Sequence, residues 1–162
     1  MAVQPSPRLL LQPVHLLALG FGAGLAPRAP GTVGSLVALV PAWLMLDLPL
    51  WSRAAVAAGV FFAGIFVCGA SARALGKHDH PAIVFDEIAG VLATALAITG
   101  PDLWRLALAF VLFRIFDIAK PWPIREVDHR LRGGLGIMLD DLMAAVYAAV
   151  CLVIIQNTLP TT

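Results

Sequence analysis

Charge is scarce in this sequence. Only 13% of its 162 residues are charged, against about 25% in ordinary soluble domains. Hydrophobic residues make up 60%, and the mean hydropathy is +0.88. In water such a chain would expose large apolar patches, which excludes an ordinary soluble protein. Net charge is +1. No basic field and no DNA- or RNA-binding signature is present, so no nucleic-acid partner is expected. Cysteine is nearly absent too. Cys68 and Cys151 lie inside apolar runs without a C-x-x-C or zinc spacing, and read as buried hydrophobes. There is no P-loop and no serine or cysteine nucleophile motif. Arg8 followed by LLLQPVHLLALG has the outline of a signal peptide, but Gln12, Pro13 and His15 interrupt it. The segment is therefore expected to be retained.

What is abundant is apolar sequence in runs. The length suits one domain, residues 1–162. Five runs read as helices in or across a membrane: 33–50, with a kink expected at Pro41, then 54–72, 86–100, 103–119 and 141–156. The third and fifth are short for a full crossing, which needs about 20 residues. Residues 9–25, broken by Pro13 and glycines, read as re-entrant or interfacial. The expected fold is all-α, a multi-span bundle with about five transmembrane or membrane-embedded helices. Arg8, Arg28, Arg73, Lys77, Lys120, Arg125, Arg130 and Arg132 fall on one side of these spans, and only Arg53 and Arg105 on the other. The positive-inside rule makes the first side cytoplasmic.

The few acids follow the same map. Asp79, Asp86, Glu87, Asp117, Glu126, Asp128, Asp140 and Asp141 lie at the cytoplasmic side, with Asp47 and Asp102 opposite. Charge beside hydrocarbon is costly and commonly functional, so the chemistry is sought there. Asp86-Glu87 and Asp140-Asp141 each open an apolar run. Each pair admits two readings: complementarity to a helix dipole, or oxygen ligands for a hard divalent ion such as Mg²⁺. Asp79, between His78 and His80, admits a solvated loop or an acid/base role, with zinc spacing lacking. In FRIFDIAKPWPIR, Arg114 and Asp117 share a helix face and Lys120 stands at the helix end. An intrahelical ion pair and a phosphate clamp both fit. Thr32, after the glycine-rich GFGAGLAPRAPG, reads as a helix N-cap or as a phosphate donor. Gly133, Gly134 and Gly136 of RGGLGIMLDD read equally as a flexible loop leading into Asp140-Asp141 or as points of close backbone approach or unusual φ. Oxygen ligands, basic phosphate partners and a membrane rim together suggest a phosphorylated lipid substrate. A transporter or ion pathway using Arg114 and Asp117 is the alternative, but spans one and two are almost free of polar residues beyond Asp47.

Four stretches carry a resemblance: HLLALGFGAGLAPRAPGTVGS, LGKHDHPAIVFDEIAG, FRIFDIAKPWPIR and GGLGIMLDD. In this order, over about residues 15 to 145, they resemble the phosphatidylglycerophosphatase A family. Ala23 and Ala145 stand where that family often has serine and glycine. The resemblance implies an all-helical fold. It also implies a bacterial inner-membrane phosphatase that uses Mg²⁺ to convert phosphatidylglycerol phosphate to phosphatidylglycerol. Carried onto this sequence, it implies Asp86, Glu87, Asp140 and Asp141 as metal ligands, with Asp79 in reach. Arg114, Lys120 and Thr32 fall on the substrate phosphate, and Asp79 or His80 on proton transfer. Asp79, His80, Asp86 and Asp141 are then the catalytic candidates, and both attack by water and an aspartyl-phosphate intermediate fit them.

Overall fold

Apolar residues that recur on every side of a helix bury it, and this chain builds its architecture around one such segment. The computed structural model describes residues 5–78 and 80–158. Among them every regular element is helical: α1 (Pro13–Ala18), α2 (Pro30–Met45), α3 (Leu50–Leu75), α4 (Phe85–Thr94), α5 (Leu103–Ala119), α6 (Ile124–Arg130) and α7 (Gly134–Thr158), with 3₁₀ turns at Pro7–Leu11, Gly20–Leu25 and Ala95–Ala97. The all-α expectation holds. FDEIAGVLAT of α4 buries every residue except Glu87 and Ala93, which are partly buried. An all-round apolar helix belongs in a core, and α2, α3, α5 and α7 surround this one.

Close approach to α4 depends on glycine. A Cβ at Gly90 would overlap the Phe113 ring of α5, and one at Gly34 would meet Val84 Cβ at 2.7 Å. The segment leading into α4 is pinned as well, since the Val84 amide donates to the Ala18 carbonyl at 2.9 Å. At its far end α4 stops early. Arg53, buried in the first turn of α3, donates from Nη1 and Nη2 to the Ile98 carbonyl at 3.2 and 3.1 Å, and from Nη2 to Leu96 O at 3.2 Å. A cation on terminal carbonyls satisfies acceptors that a helix end leaves open.

Among the described residues two helices are long and apolar enough to cross a membrane: α3, with 26 residues and hydropathy 2.0, and α7, with 25 and 2.1. The run expected at 103–119 coincides with α5. The run at 86–100 instead ends as an α-helix at Thr94. The run at 33–50 is α2, which begins at Pro30 and continues through Pro41. The largest revision concerns residues 132–141. The glycines read as a loop are helical from Gly134 onward and buried at 134 and 136. A Cβ at Gly134 would overlap the Ile65 carbonyl of α3, and one at Gly136 the Leu131 carbonyl. Packing overrides low helix propensity here. Asp140 and Asp141 therefore sit two turns inside α7, so helix-start complementarity does not account for them.

Candidate active site

The carboxylates meet because α4 and α7 lie against each other. Asp86 and Glu87 occupy the first turn of α4, and Asp141 projects from α7 toward them. One oxygen of each lies within 4.8 Å of the others. Asp86 and Asp141 are buried, at 7% and 4% exposure. Glu87 Oε2 and Asp141 Oδ2 are buried with no hydrogen-bond partner in the protein. Three acids this close repel one another, and a buried carboxylate oxygen without a donor is strongly disfavoured. A divalent cation with oxygen ligands relieves both terms. The donor set is all oxygen, which suits Mg²⁺ and not a soft metal.

Cations close the other side. Arg114 of α5 pairs with Asp117 one turn on, lies 3.8 Å from Glu87 Oε1, and donates to Ser35 Oγ at 3.3 Å. Ser35 in turn donates to the Gly31 carbonyl at 2.9 Å, tying Arg114 to the start of α2. Lys120 caps α5 in the left-handed region, at φ 40°, and places Nζ 2.7 Å from Asp140 Oδ2. These groups line a cleft of about 340 Å³ whose walls also include Pro30, Gly31, Pro81, Ile83 and Ile118. Its dimensions and mixed charge suit a phosphate group and its immediate neighbours.

Six residues expected at the site line this cleft: Asp86, Glu87, Asp140, Asp141, Arg114 and Lys120. Asp140, expected as a fourth ligand, is placed differently from the other three. It is outside the three-carboxylate group and engages Lys120. Thr32 is not in the lining. It is the third residue of α2, and the N-cap is Ala29 in left-handed conformation, so the N-cap reading of Thr32 is replaced. His80 is buried, and its Nδ1 accepts from the Ala82 amide at 3.2 Å. It is a lining residue of neither the cleft nor the carboxylate group. Asp79 lies outside the described residues. Ser35 and Asp117 join the site through their contacts with Arg114. Asp117 is visible in the i,i+3 spacing to Arg114, but Ser35 meets Arg114 only through the tertiary packing of α2 on α5. The Arg114–Asp117 pair faces the cleft. Phe113, next to Arg114 in α5, and Ile88 of α4 belong to the apolar core.

Gly31 is a further residue the site requires. A Cβ there would overlap Glu87 Oε1 and come within 3.4 Å of Arg114 Nη1. Gly31→Ala should push the Glu87 carboxylate aside while leaving the helix intact. Small misplacements at a reacting centre can cost up to about 100-fold, so we expect kcat/KM to fall roughly 10–100-fold with an unchanged melting temperature. Paired kinetic and thermal measurements check this, and unaltered kinetics would remove Glu87 from the working site.

Comparison with known proteins bears on this geometry. A family model for phosphatidylglycerophosphatase A matches residues 16–156. Phosphatidylglycerophosphatase A of Escherichia coli K12 is 43% identical over 150 residues, covering 91% of this chain and 86% of that protein. Phosphatidylglycerophosphatase A of Haemophilus influenzae is 43% identical over 148 residues, covering 91% of each. A Bacteroides thetaiotaomicron protein, provisionally named a phosphatidylinositol-3-phosphatase, is 39% identical over 147 residues, covering 86% of this chain and 91% of its own length. No solved structure matches. The match of the family model over most of the chain, joined to two relatives of that name at 43% identity, places this protein in the phosphatidylglycerophosphatase A family.

Proposed function

We propose that the cleft hydrolyses the terminal phosphomonoester of phosphatidylglycerol phosphate, giving phosphatidylglycerol and inorganic phosphate, with Mg²⁺ as cofactor. One observation carries this reading: two buried carboxylates, Asp86 and Asp141, and the partly buried Glu87 converge beside Arg114 and Lys120 at one end of an apolar bundle. Asp86, Glu87 and Asp141 would hold the ion. Once bound, it would supply charge that polarises the phosphoryl group and makes a water nucleophilic near neutral pH.

The chain's own residues do the rest. Arg114 presents a planar fork of donors suited to phosphate oxygens, and Lys120 adds a compact charge. Asp117 and Ser35 fix the fork, and Asp140 fixes Lys120. First-turn amides of α2, at Gly31 and Thr32, lack intrahelical acceptors and point their partial positive charge toward the same end. The bond between phosphorus and the glycerol oxygen breaks, the water oxygen joins phosphorus, and a water proton ends on the released hydroxyl. Asp79 and His80 are our candidates for moving that proton. With Nδ1 accepting from Ala82, a neutral His80 carries its proton on Nε2.

We place the protein across a bacterial inner membrane, multi-pass, with the cleft on the cytoplasmic face. Supporting this, Val40, Leu44, Phe62, Phe66, Ile115, Val150 and Ile154 face outward from four helices. α2 and α5, with 16 and 17 residues, reach about 25 Å, near the thickness of a hydrocarbon core, about 30 Å. Exposed Trp51 and Trp104 stand at one end of the bundle and exposed Trp122 at the other, as interfacial aromatics do.

The direct test is phosphate release from phosphatidylglycerol phosphate by purified protein in detergent. Release that requires Mg²⁺, stops with chelator and returns on re-addition is expected. A folded protein that releases none under any of these conditions would overturn the assignment.

A further inference from the structure

A phosphomonoester on a membrane lipid brings two acyl chains with it, and the outer wall of the cleft shows where one of them goes. Ile118 lines the polar cleft and is also 70% exposed, so α5 forms the edge between the cleft and its apolar surroundings. Below Ile118, exposed Ile115, Val111 and Ala107 continue down α5 at helical spacing. The stripe ends in a second hollow of about 280 Å³, where Leu103, Leu106 and Ala107 of α5 face Leu39, Val40, Trp43 and Leu44 of α2. α2 and α5 run antiparallel, joined near the cleft through Ser35 and Arg114 and at this hollow at the other end. Ala107 lies eleven residues before Ile118, about 16 Å along the helix.

A second apolar hollow exists between α3, α4 and α7, lined in part by Ala58, Phe62 and Gly90. At its carboxylate end Met138 and Phe85 pack on Gly64, where a Cβ would find no room. That hollow has no lining residue in common with the cleft. On α5, by contrast, the exposed stripe from Ile118 at the rim of the cleft to Ala107 runs to the α2–α5 hollow.

We infer that the α2–α5 seam is an acyl-chain track: one fatty chain of the phospholipid substrate lies along Ile118, Ile115 and Val111 and ends in the hollow at Ala107 and Val40. The inference rests on the phosphatase reading above. It makes the enzyme a reader of chain length as well as of headgroup. A chain that reaches the hollow contributes binding that a short one does not, and burial of a few methylenes in an apolar pocket discriminates substrates by about 10- to 200-fold.

The test compares dioleoyl with dihexanoyl phosphatidylglycerol phosphate in the same detergent, using wild type, Ala107→Trp and Val40→Trp, which fill the hollow from either helix, and Ala58→Trp, which fills the other one. For Ala107→Trp and Val40→Trp we expect kcat/KM to fall about tenfold on the dioleoyl substrate and to stay within about twofold on the dihexanoyl one. Ala58→Trp should leave both unchanged. If one filling variant does not fold, the other decides. Equal loss on both substrates, no loss on either, or chain-dependent loss in Ala58→Trp overturns the track. Wild type inactive on both substrates overturns the phosphatase reading, and the track with it.

Discussion

Asp141→Asn is expected to lower phosphate release by about 10²–10³-fold, the scale on which single electrostatic groups act at a reacting centre. The protein should still reach the membrane. Asparagine keeps the size of the side chain and loses its charge, so packing on α4 survives and one ligand of the shared centre is lost. Asp86→Asn should behave alike. A second readout separates this from a folding defect. Ligand that binds only the native state raises stability by about 2.7 kcal/mol at a hundredfold excess over Kd, so Mg²⁺ should raise the melting temperature of the wild type. It should not do so for Asp141→Asn. In metal-free buffer the variant should melt at or above the wild-type temperature, because one of three crowded carboxylates has been neutralised. Near-normal turnover in both variants would remove these residues from the metal assignment.

Arg114→Ala is expected to damage both activity and stability. The guanidinium stands among Asp117, Glu87 and Ser35. Removing it leaves partly buried acids facing one another, and breaking a fully buried ionic cluster from one side costs about 3–5 kcal/mol, so a loss somewhat below that is expected. Arg114→Lys separates the two roles. Lysine restores a positive charge, so most of the stability should return, but it lacks the fork that grips two phosphate oxygens. Activity should stay well below wild type, with kcat/KM hit harder than the melting temperature. A lysine variant with wild-type kinetics would show that Arg114 acts as a point charge and not as a bidentate clamp. Metal-dependent stabilisation of the Arg114→Lys protein should persist, since no carboxylate ligand is lost.

Much of the site is legible in the sequence because its chemistry is rare there. In a chain with 10 acids, adjacent carboxylates at 86–87 and 140–141 stand out, and the sidedness of the runs carries them to one rim. The run at 103–119 matches α5 because Asp102 caps it, accepting from the Trp104 and Arg105 amides, and Lys120 with Pro121 ends it. Tertiary packing decides what the sequence does not display. Gly134 and Gly136 look like a loop until α3 and the Leu131 carbonyl come close enough to exclude any side chain. Once the helix begins at Gly134, Asp141 is two turns inside it and reaches Asp86 from the side. Asp140 and Asp141 look equivalent in sequence. Lys120, twenty residues earlier, takes one of them and leaves the other with Asp86 and Glu87. Thr32 and Ser35 are likewise close in sequence, and only the crossing of α2 and α5 shows that Ser35 is the residue holding Arg114.

The central claim is that α4 and α7 supply a single cation centre from Asp86, Glu87 and Asp141, opposite Arg114 and Lys120. A crystal of the protein grown with Mn²⁺, a hard ion that accepts the same oxygen ligands, tests it through anomalous scattering. One strong peak within coordination distance of all three carboxylates is expected. A crystal with Mn²⁺ bound only elsewhere, and these acids engaged with protein donors alone, would contradict it.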